Sequence, residues 1–291
     1  MEHKAGFVNI IGKPNVGKST LMNAMVGEKL SIITPKAQTT RQRILGIVNS
    51  EDYQIVFSDT PGIVKPHYEL HKSMMKYVEG AIEDADILLF VTEVNEREIE
   101  EENIRRIKTA TVPVIILVNK IDQCEQDVAF EKIEEMQELF PEATCIPVSA
   151  LHKFNIDAIL NKIVELLPEN PPYYPKDELT DRSTRFFVSE IIREKILLFY
   201  KQEIPYSVQV IVESFIEEPK LTRIAATIHV ARDTQKSILI GKGGAAIKRL
   251  GTAARKDIEE FIGQKVFLEL FVKVTKDWRD DERTLHHFGY E

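Results

Sequence analysis

The chain has 291 residues, of which 43% are hydrophobic and 29% charged, as expected for an ordinary globular protein of about two domains. The formal net charge of −8 excludes a uniformly basic nucleic-acid-binding protein, and two cysteines provide no disulfide framework. The charge is uneven, because residues 1–180 carry 19 Lys and Arg against 29 Asp and Glu, whereas residues 181–291 carry 19 against 17. We expect a cytoplasmic protein without a signal peptide or a membrane span, since no apolar run approaches ~18 residues.

The first 167 residues alternate apolar strand candidates with helical stretches. Continuous apolar runs are typical of strands that are buried on both faces, and the alternation predicts a parallel sheet covered by helices. Ligands of such sheets bind beyond the carboxyl ends of the strands. The expected strands are GFVNIIG, YQIVFSD, DILLFVT, VPVIILVNK and TCIPVSA, and the expected helices cover residues 18–26, 74–84, 128–139 and 156–167.

The loop GKPNVGKS, residues 12–19, fits the phosphate-binding pattern G-x-x-x-x-G-K-[ST] between a strand and a helix. The glycines let backbone amides surround a phosphate chain, while Lys18 reaches the β- and γ-phosphates and Ser19 is a Mg²⁺ ligand. A tight turn without a ligand would not explain the adjacent Lys and Ser. The candidate nucleotide contacts of this loop are Gly12, Asn15, Val16, Gly17, Lys18, Ser19 and Thr20.

Two motifs that follow indicate a magnesium site and a phosphate sensor. QTTR, residues 38–41, lies in a polar loop where a threonine can close over Mg²⁺, and the sequence leaves open whether Thr39 or Thr40 does so. DTPG, residues 59–62, ends an apolar strand. We expect Asp59 to hold Mg²⁺ through water and the Gly62 amide to sense a γ-phosphate.

Two later motifs indicate the base. In NKID, residues 119–122, Asp122 can accept two hydrogen bonds from the N1–H and 2-amino edge of guanine, which favours GTP over ATP. SAL, residues 149–151, follows the fifth predicted strand, where a backbone N–H can meet the guanine carbonyl oxygen. The candidate residues of the base site are Asn119, Lys120, Asp122, Ser149, Ala150 and Leu151.

The stretch PENPPYYPKDELTD, residues 168–181, is too rich in proline to continue a helix and predicts a semi-rigid linker. We therefore expect a nucleotide-binding domain over residues 1–167 and a second domain with a C-terminal tail over residues 182–291. The pattern of the second domain predicts the order α-β-β-α-α-β. We expect Trp278 to be a packing residue and the pair His286-His287 to lie in a solvated tail.

The second domain contains another glycine loop, GKGG, residues 241–244, between two predicted helices. It lacks the Lys-Ser pair of a nucleotide site, and it resembles the G-x-x-G loop of a type II KH domain, which binds a single-stranded nucleic-acid backbone. The surrounding stretch 236–256 has six basic residues and no acid. A solvated basic face is the alternative. The candidate RNA contacts are Lys236, Ile240, Gly241, Lys242, Gly243, Gly244, Ile247, Lys248 and Arg249.

The five nucleotide motifs in this order resemble the translation-factor-like branch of P-loop GTPases. The stretches KLSIITPKAQTTRQRILGI and FSDTPGI are similar to the Era family of bacterial ribosome-assembly GTPases, and the resemblance covers nearly the whole chain. It implies an α/β, Ras-like P-loop GTPase domain with a mostly parallel sheet, followed by an α+β type II KH domain. Its ligands would be GTP or GDP with Mg²⁺, and Thr40 would be the magnesium ligand by likeness to related TTR motifs.

The resemblance also implies partners and catalytic residues. The partners would be small-subunit ribosomal RNA near its 3′ end and the maturing 30S subunit, and the protein would be a monomer, with a peripheral location at the inner membrane face as a further expectation. Catalysis would involve Lys18, Thr40 and Gly62. The rival interpretation is a signalling GTPase whose KH-like module binds a protein or membrane surface.

Two positions bear on the rate of hydrolysis. Ile63 stands where Ras has a glutamine, and isoleucine orients no water, so slow intrinsic hydrolysis is expected. Asn15 is typical of relatives that use K⁺ as a charge equivalent of an arginine finger. The alternative for Asn15 is a hydrogen bond that only shapes the loop.

Overall fold

The computed structural model describes residues 3–290, which form two compact units. The first unit comprises the chain up to Lys65 and the stretch Met74–Asp181, and the second comprises Pro66–Ser73 and the chain from Arg182 onward. The predicted first domain, residues 1–167, includes residues 66–73. No helix within residues 3–290 is long and apolar enough to cross a bilayer.

A six-stranded sheet forms the centre of the first unit, in the order β2-β3-β1-β4-β5-β6. All neighbouring strands are parallel except β2 and β3, which are antiparallel. The buried apolar runs form the five strands that the sequence predicts, whereas β2 was not predicted. The strands are β1 (Lys4–Ile11), β2 (Ile44–Asn49), β3 (Tyr53–Asp59), β4 (Ile87–Glu93), β5 (Val114–Asn119) and β6 (Thr144–Pro147).

Helices connect these strands. They are α1 (Lys18–Val26), α2 (Glu69–Glu83), α3 (Glu101–Lys108), α4 (Gln126–Leu139) and α5 (Ile156–Leu166). The predicted start of α2 at residue 74 was wrong by five residues. The helix begins earlier because Leu70 is fully buried and its N–H is bonded within the second unit.

The proline-rich stretch 168–181 lies against the first unit. The Ile47 N–H donates to the Leu179 carbonyl along the edge strand β2, and the Gln54 side chain donates to the Tyr174 carbonyl. Phe7 packs against Tyr173 with ring centroids 4.9 Å apart. The edge of the sheet is therefore covered by the stretch that leads to Arg182.

The second unit has the predicted order α-β-β-α-α-β. Its elements are α6 (Thr184–Phe199), β7 (Val208–Glu218), β8 (Leu221–Val230), α7 (Asp233–Ile240), α8 (Ala245–Ile262), β9 (Val266–Val274) and a final helix α9 (Glu282–His287). Strands β7 and β8 are antiparallel, and β9 is parallel to β8. The helices α6, α7 and α8 contribute, with one face of the sheet, to a single apolar core.

The C-terminal segment packs against the second unit. Trp278 is fully buried, as predicted, and its indole N–H donates to the Ser207 carbonyl over 3.1 Å. His286 and His287 are exposed, as the prediction of a solvated tail requires. The segment is nevertheless packed, because Leu285 before the pair and Phe288 and Tyr290 after it are buried.

Candidate functional site: a nucleotide cleft and a second glycine loop

The first glycine loop joins β1 to α1, and two of its glycines are required by the backbone. Gly12 has φ +150°, and a Cβ there would lie 2.3 Å from the Val91 carbonyl oxygen. Gly17 has φ +103°, and a Cβ there would lie 2.1 Å from the Asn119 amide nitrogen. Any side chain at either position would clash, so the loop shape depends on glycine.

The amine of Lys18 lies at the centre of this loop. It is buried, and Nζ donates to the carbonyl oxygens of Gly12 and Lys13 over 3.0 and 2.8 Å. Burial lowers the pKa of Lys18 from 10.5 to about 8, and the nearby Asp59 opposes this shift. A cation that donates to carbonyl groups can exchange them for phosphate oxygens, which accept charge-assisted hydrogen bonds.

Three oxygen-bearing side chains converge next to Lys18. The Ser19 hydroxyl lies 2.9 Å from the Thr40 hydroxyl and donates to Asp59 Oδ2 over 2.7 Å, and Thr40 donates to the same oxygen over 3.2 Å. Burial raises the pKa of Asp59, which the hydroxyl of Ser19 and the charge of Lys18 partly offset. In contrast, the hydroxyl of Thr39 is bonded to the Lys36 carbonyl.

The second carboxylate oxygen of Asp59, Oδ1, bears on which ligand this corner can bind. Oδ1 is buried, and within residues 3–290 it has no hydrogen bond of ordinary geometry, although the Ser31 hydroxyl is close enough to the carboxylate to help lower the Asp59 pKa. A buried carboxylate oxygen without a partner is costly, and Mg²⁺ is a hard cation that prefers carboxylate, hydroxyl and water oxygens. The donor set of Ser19, Thr40 and Asp59 therefore fits Mg²⁺.

The base corner lies where β5 and β6 end. The buried Asn119 side chain donates to the Val16 carbonyl over 2.8 Å and accepts from the Ala150 N–H over 3.0 Å, so it ties the phosphate loop to the SAL loop. The Ser149 hydroxyl donates to Asp122 Oδ1 over 2.5 Å. This bond fixes the carboxylate that is expected to read guanine.

Lys120, the residue after Asn119, has a left-handed backbone conformation with φ +65°. Its ammonium group pairs with Glu93 at the end of β4. Lys120 thus links the ends of two neighbouring strands at the rim of the base corner.

The phosphate-sensing loop contacts the phosphate loop directly. A Cβ on Gly62 would lie 2.7 Å from the Cα of Pro14, and the Ile63 N–H donates to the Gly12 carbonyl over 3.1 Å. Asn15 has φ +66°, and its amide lies 3.4 Å from the Pro35 carbonyl, a long hydrogen bond.

These corners share one cleft of about 500 Å³. Most predicted residues line it, and both Thr39 and Thr40 do. Four predicted residues lie behind the lining and support it, namely Gly12, Val16, Asp59 and Ser149. The sequence missed the apolar wall of the cleft, because no motif marks it. That wall contains Ile32, Ile33 and Pro35.

The second glycine loop joins α7 to α8, as predicted. Gly241, Gly243 and Gly244 have φ values of +72°, +59° and +79°. A Cβ on Gly241 would lie 2.6 Å from the Cβ of Ala246, whereas one on Gly243 would meet no atom within 4 Å. Gly241 is therefore needed for packing, and Gly243 leaves open space beside the backbone.

A separate cleft of about 310 Å³ lies between α8 and β9. Of the predicted RNA contacts, Ile247 and Lys248 line it, whereas Lys236, Ile240, the loop residues 241–244 and Arg249 do not. The Arg249 guanidinium lies 5.2 Å from the ring centroid of Phe199. The sequence missed five lining residues that come together only when α8 packs on β9. They are Gly251, Thr252, Arg255, Leu268 and Leu270.

Comparison with known proteins supports this arrangement. The family of 50S ribosome-binding GTPases matches residues 7–120, and the KH domain family matches residues 203–279. GTPase Era of Staphylococcus haemolyticus strain JCSC1435 is 45% identical over 293 residues, which span 99% of this chain and 98% of that protein.

Two solved structures of Era each cover 99% of both chains. One is Era in complex with MgGDPNP and nucleotides 1506–1542 of 16S ribosomal RNA, with a TM-score of 0.95 and 39% identity. The other is a point variant of Aquifex aeolicus Era bound to GDP·AlF4⁻, with a TM-score of 0.94 and 38% identity. The expected fold, a Ras-like GTPase domain followed by a KH domain, is confirmed, and the chain belongs to the Era family of GTPases.

Proposed function

We propose that this chain binds GTP and GDP with Mg²⁺, hydrolyses GTP, and binds small-subunit ribosomal RNA near its 3′ end during maturation of the 30S subunit. The observation that carries the nucleotide part is the buried Asp59 oxygen Oδ1, which lies behind Ser19 and Thr40 in the lining of the same cleft that the fixed carboxylate of Asp122 lines. The corner around Asp59 favours the phosphate end of a guanine nucleotide, and the corner around Asp122 favours its base.

The phosphate end is bound by Lys18 and by the backbone amides of the glycine loop. Lys18 neutralises charge on the β- and γ-phosphates, and Ser19, Thr40 and Asp59 hold the Mg²⁺, which stabilises the negative charge that develops on the phosphate oxygens. The Gly62 amide lies beside Pro14 and so borders the place of the γ-phosphate. Ile63 orients no water, so the intrinsic rate is slow.

The base end provides specificity. The Asp122 carboxylate accepts from the guanine edge, and the Ser149 hydroxyl keeps it in place. Adenine would leave this carboxylate without its donors, which is a large penalty at a site built for hydrogen bonding. Competition of ATP and GTP for the same site tests this, and equal competition would contradict it.

The proposed RNA binding depends on the second glycine loop and on the cleft between α8 and β9. The open space at Gly243 allows close approach of a sugar-phosphate backbone, and the basic residues available to neutralise phosphates are Lys242 in the loop and Lys248 and Arg255 in the cleft lining. Leu268 and Leu270 offer apolar contact to bases. Co-sedimentation with small ribosomal subunits that is lost on RNase treatment supports this function, whereas RNase-insensitive association with membranes or proteins favours the rival signalling GTPase.

We further propose that K⁺ stimulates hydrolysis through Asn15, which lies in the lining of the nucleotide cleft. An amide oxygen is a ligand type that K⁺ accepts. Hydrolysis should be faster in KCl than in NaCl at equal ionic strength, and Asn15→Ala should abolish the difference. Equal rates in the two salts for the parent chain would leave Asn15 with a loop-shaping role only.

Two finer properties complete the proposal. The protein is a monomer, and it works in the cytoplasm with a peripheral location at the inner membrane face. Sedimentation at several concentrations tests the first property. Fractionation of cells at low and high salt tests the second, since a peripheral protein is released by salt.

A further inference from the structure

The loop that carries Thr40 ends at a cluster of polar side chains within the first unit. Arg43, three residues after Thr40, is the last residue before β2. Its Nε donates to the Ser58 hydroxyl over 2.6 Å, and its two terminal nitrogens donate to the Asp84 carboxylate over 2.5 and 3.1 Å. One of them also donates to the Asn9 side-chain oxygen over 3.3 Å. The guanidinium is thus bonded to β3, to β1 and to the residue that follows α2.

The partners of Arg43 are themselves held in place. Asn9 and Ser58 are fully buried in the central sheet, and the Asn9 amide donates to Asp84 Oδ1 over 2.7 Å. A buried polar group resists displacement, because the loss of its hydrogen bond leaves it unsatisfied away from water. The four residues Asn9, Arg43, Ser58 and Asp84, called the arginine cluster below, therefore form an anchor at the end of the Thr40 loop.

The arginine cluster lies beside the magnesium corner along two paired strands. Ser58 directly precedes Asp59, and the antiparallel pairing of β2 with β3 begins with Ile44 opposite Asp59. Arg43 is therefore the point at which the Thr40 loop joins the sheet. Three residue steps span at most about 11 Å. Fixing Arg43 consequently limits how far Thr40 can move away from the Asp59 carboxylate.

We propose that Arg43 is a positioning residue for the magnesium site. By fastening the end of the loop, its guanidinium keeps the Thr40 hydroxyl beside Ser19 and Asp59 before the ion arrives. Ligands that are ordered in advance bind more tightly, because less conformational freedom is lost on binding. Arg43 is itself no magnesium ligand in this proposal and acts through Thr40. The inference rests on the proposed role of Thr40 as a Mg²⁺ ligand.

Mg²⁺ titrations of GTP hydrolysis with full-length variants test the proposal. Arg43→Ala should raise the Mg²⁺ concentration for half-maximal hydrolysis about two- to fivefold, the size expected from a partly exposed ion pair. Saturating Mg²⁺ should restore kcat. Asp84→Asn keeps the shape of the partner, removes its charge and should shift the titration in the same direction, which keeps the test open if Arg43→Ala does not fold.

Arg106→Ala is the matched control. Arg106 pairs with Glu102 in the same unit over 2.5 Å, the distance of the pair between Arg43 and Asp84. The exposed fractions of the two arginine side chains are also close, 22% for Arg106 and 18% for Arg43. Arg106→Ala should leave the Mg²⁺ titration unchanged. An equal shift in Arg106→Ala and Arg43→Ala would overturn the proposal.

A double-mutant cycle separates positioning from general destabilisation. If Arg43 acts through Thr40, the shift caused by Arg43→Ala should disappear in a Thr40→Ala background, because no threonine hydroxyl is left to position. A shift of the same size in both backgrounds would assign the effect to another route and overturn the proposal. A shift in Thr40→Ala alone would overturn only the positioning role, whereas no shift in Thr40→Ala would overturn the proposed magnesium ligand as well.

Hydrogen exchange supplies a readout that does not depend on activity. In protein without nucleotide and Mg²⁺, the amides of residues 40–47 should exchange faster in Arg43→Ala than in the parent chain and in Arg106→Ala. This result would show that the arginine cluster fastens the end of the Thr40 loop before any ligand binds. Unchanged exchange of these amides in Arg43→Ala would contradict the anchor.

Discussion

At the scale of single residues, Lys18 has the most unusual electrostatic state in the nucleotide cleft. Its amine is buried among carbonyl groups, and burial lowers its pKa to about 8. As the pH rises above about 8, a growing share of the nucleotide-free protein therefore carries a neutral Lys18. A bound phosphate chain favours the charged amine and raises its pKa again.

The sign of the resulting proton exchange can be predicted. Binding of GDP at pH 8.5 should take up protons, and the contribution from Lys18 should vanish below pH 7, where the amine is already charged. Calorimetry in two buffers of different ionisation enthalpy measures the uptake, and Mg²⁺-free solution keeps Asp59 out of the balance. Lys18→Arg should show no uptake at pH 8.5, because its guanidinium stays charged. Equal uptake by this variant would contradict the assignment to Lys18.

A second question at the scale of single residues is whether Thr39 or Thr40 is the Mg²⁺ ligand. Only Thr40 shares the corner of Ser19 and Asp59, while the Thr39 hydroxyl is engaged with Lys36. Thr40→Ala should raise the Mg²⁺ concentration needed for half-maximal hydrolysis by about tenfold or more. Thr39→Ala is the matched control and should stay near the parent chain. The reverse order of the two variants would assign the ligand to Thr39.

At the scale of elements, a substitution in the α7–α8 loop tests whether the two glycine loops bind different ligands. Gly243→Asp places a carboxylate where a phosphate is expected to lie, and aspartate tolerates the left-handed backbone better than most residues. RNA affinity should fall at least about tenfold through charge repulsion. The affinity for GTP should remain, because the nucleotide cleft lies in the other unit.

Gly263→Asp is the control for this loop. Gly263 ends α8 with φ +75°, and a Cβ there would also meet no atom within 4 Å. The two substitutions thus share strain, charge and open space, and differ only in position. Equal loss of RNA affinity in both would mean that the GKGG loop has no special role, and loss of GTP affinity in Gly243→Asp would mean that the units are not independent.

The elements of this protein differ in how far the sequence predicts them. The central strands were predictable because continuous apolar runs leave few other structures. Strand β2 was missed because it is a short edge strand behind a polar loop, and its pairing with β3 and the Leu179 carbonyl is a matter of tertiary contacts. The early start of α2 was missed for the same reason. It depends on a hydrogen bond from Leu70 to Arg279, which lies over 200 positions further along the chain.

The residues of the two candidate sites also differ in how far the sequence predicts them. Nucleotide motifs are local and lie at strand ends, so the sequence placed Lys18 and Asp122 without knowledge of the fold. The bonds that fix them, such as Ser149 to Asp122, join distant segments. Arg255 and Leu268 of the second cleft follow no motif at all, because only the packing of α8 on β9 brings them together.

At the scale of the whole molecule, we expect the bound nucleotide to alter the affinity for RNA, as in a GTP-driven switch. A ligand shifts an equilibrium only by its difference in affinity for two states, and the effect is reciprocal. If a non-hydrolysable GTP analogue tightens RNA binding by some factor relative to GDP, RNA must raise the affinity for the analogue over GDP by the same factor. Both halves of this cycle can be measured on one preparation.

We predict tighter binding in the GTP-like state. The probe is a single-stranded RNA that matches the 3′ end of small-subunit ribosomal RNA, titrated with the GDP-loaded and the analogue-loaded protein at one stated salt concentration. If the three basic side chains of Lys242, Lys248 and Arg255 neutralise phosphates, the logarithm of the affinity should change with the logarithm of the salt concentration with a slope of about −2. Equal binding in both states would keep the RNA function and remove nucleotide control. Absence of binding in both would favour a protein or membrane partner, because the glycine loop would then have no phosphate backbone to bind.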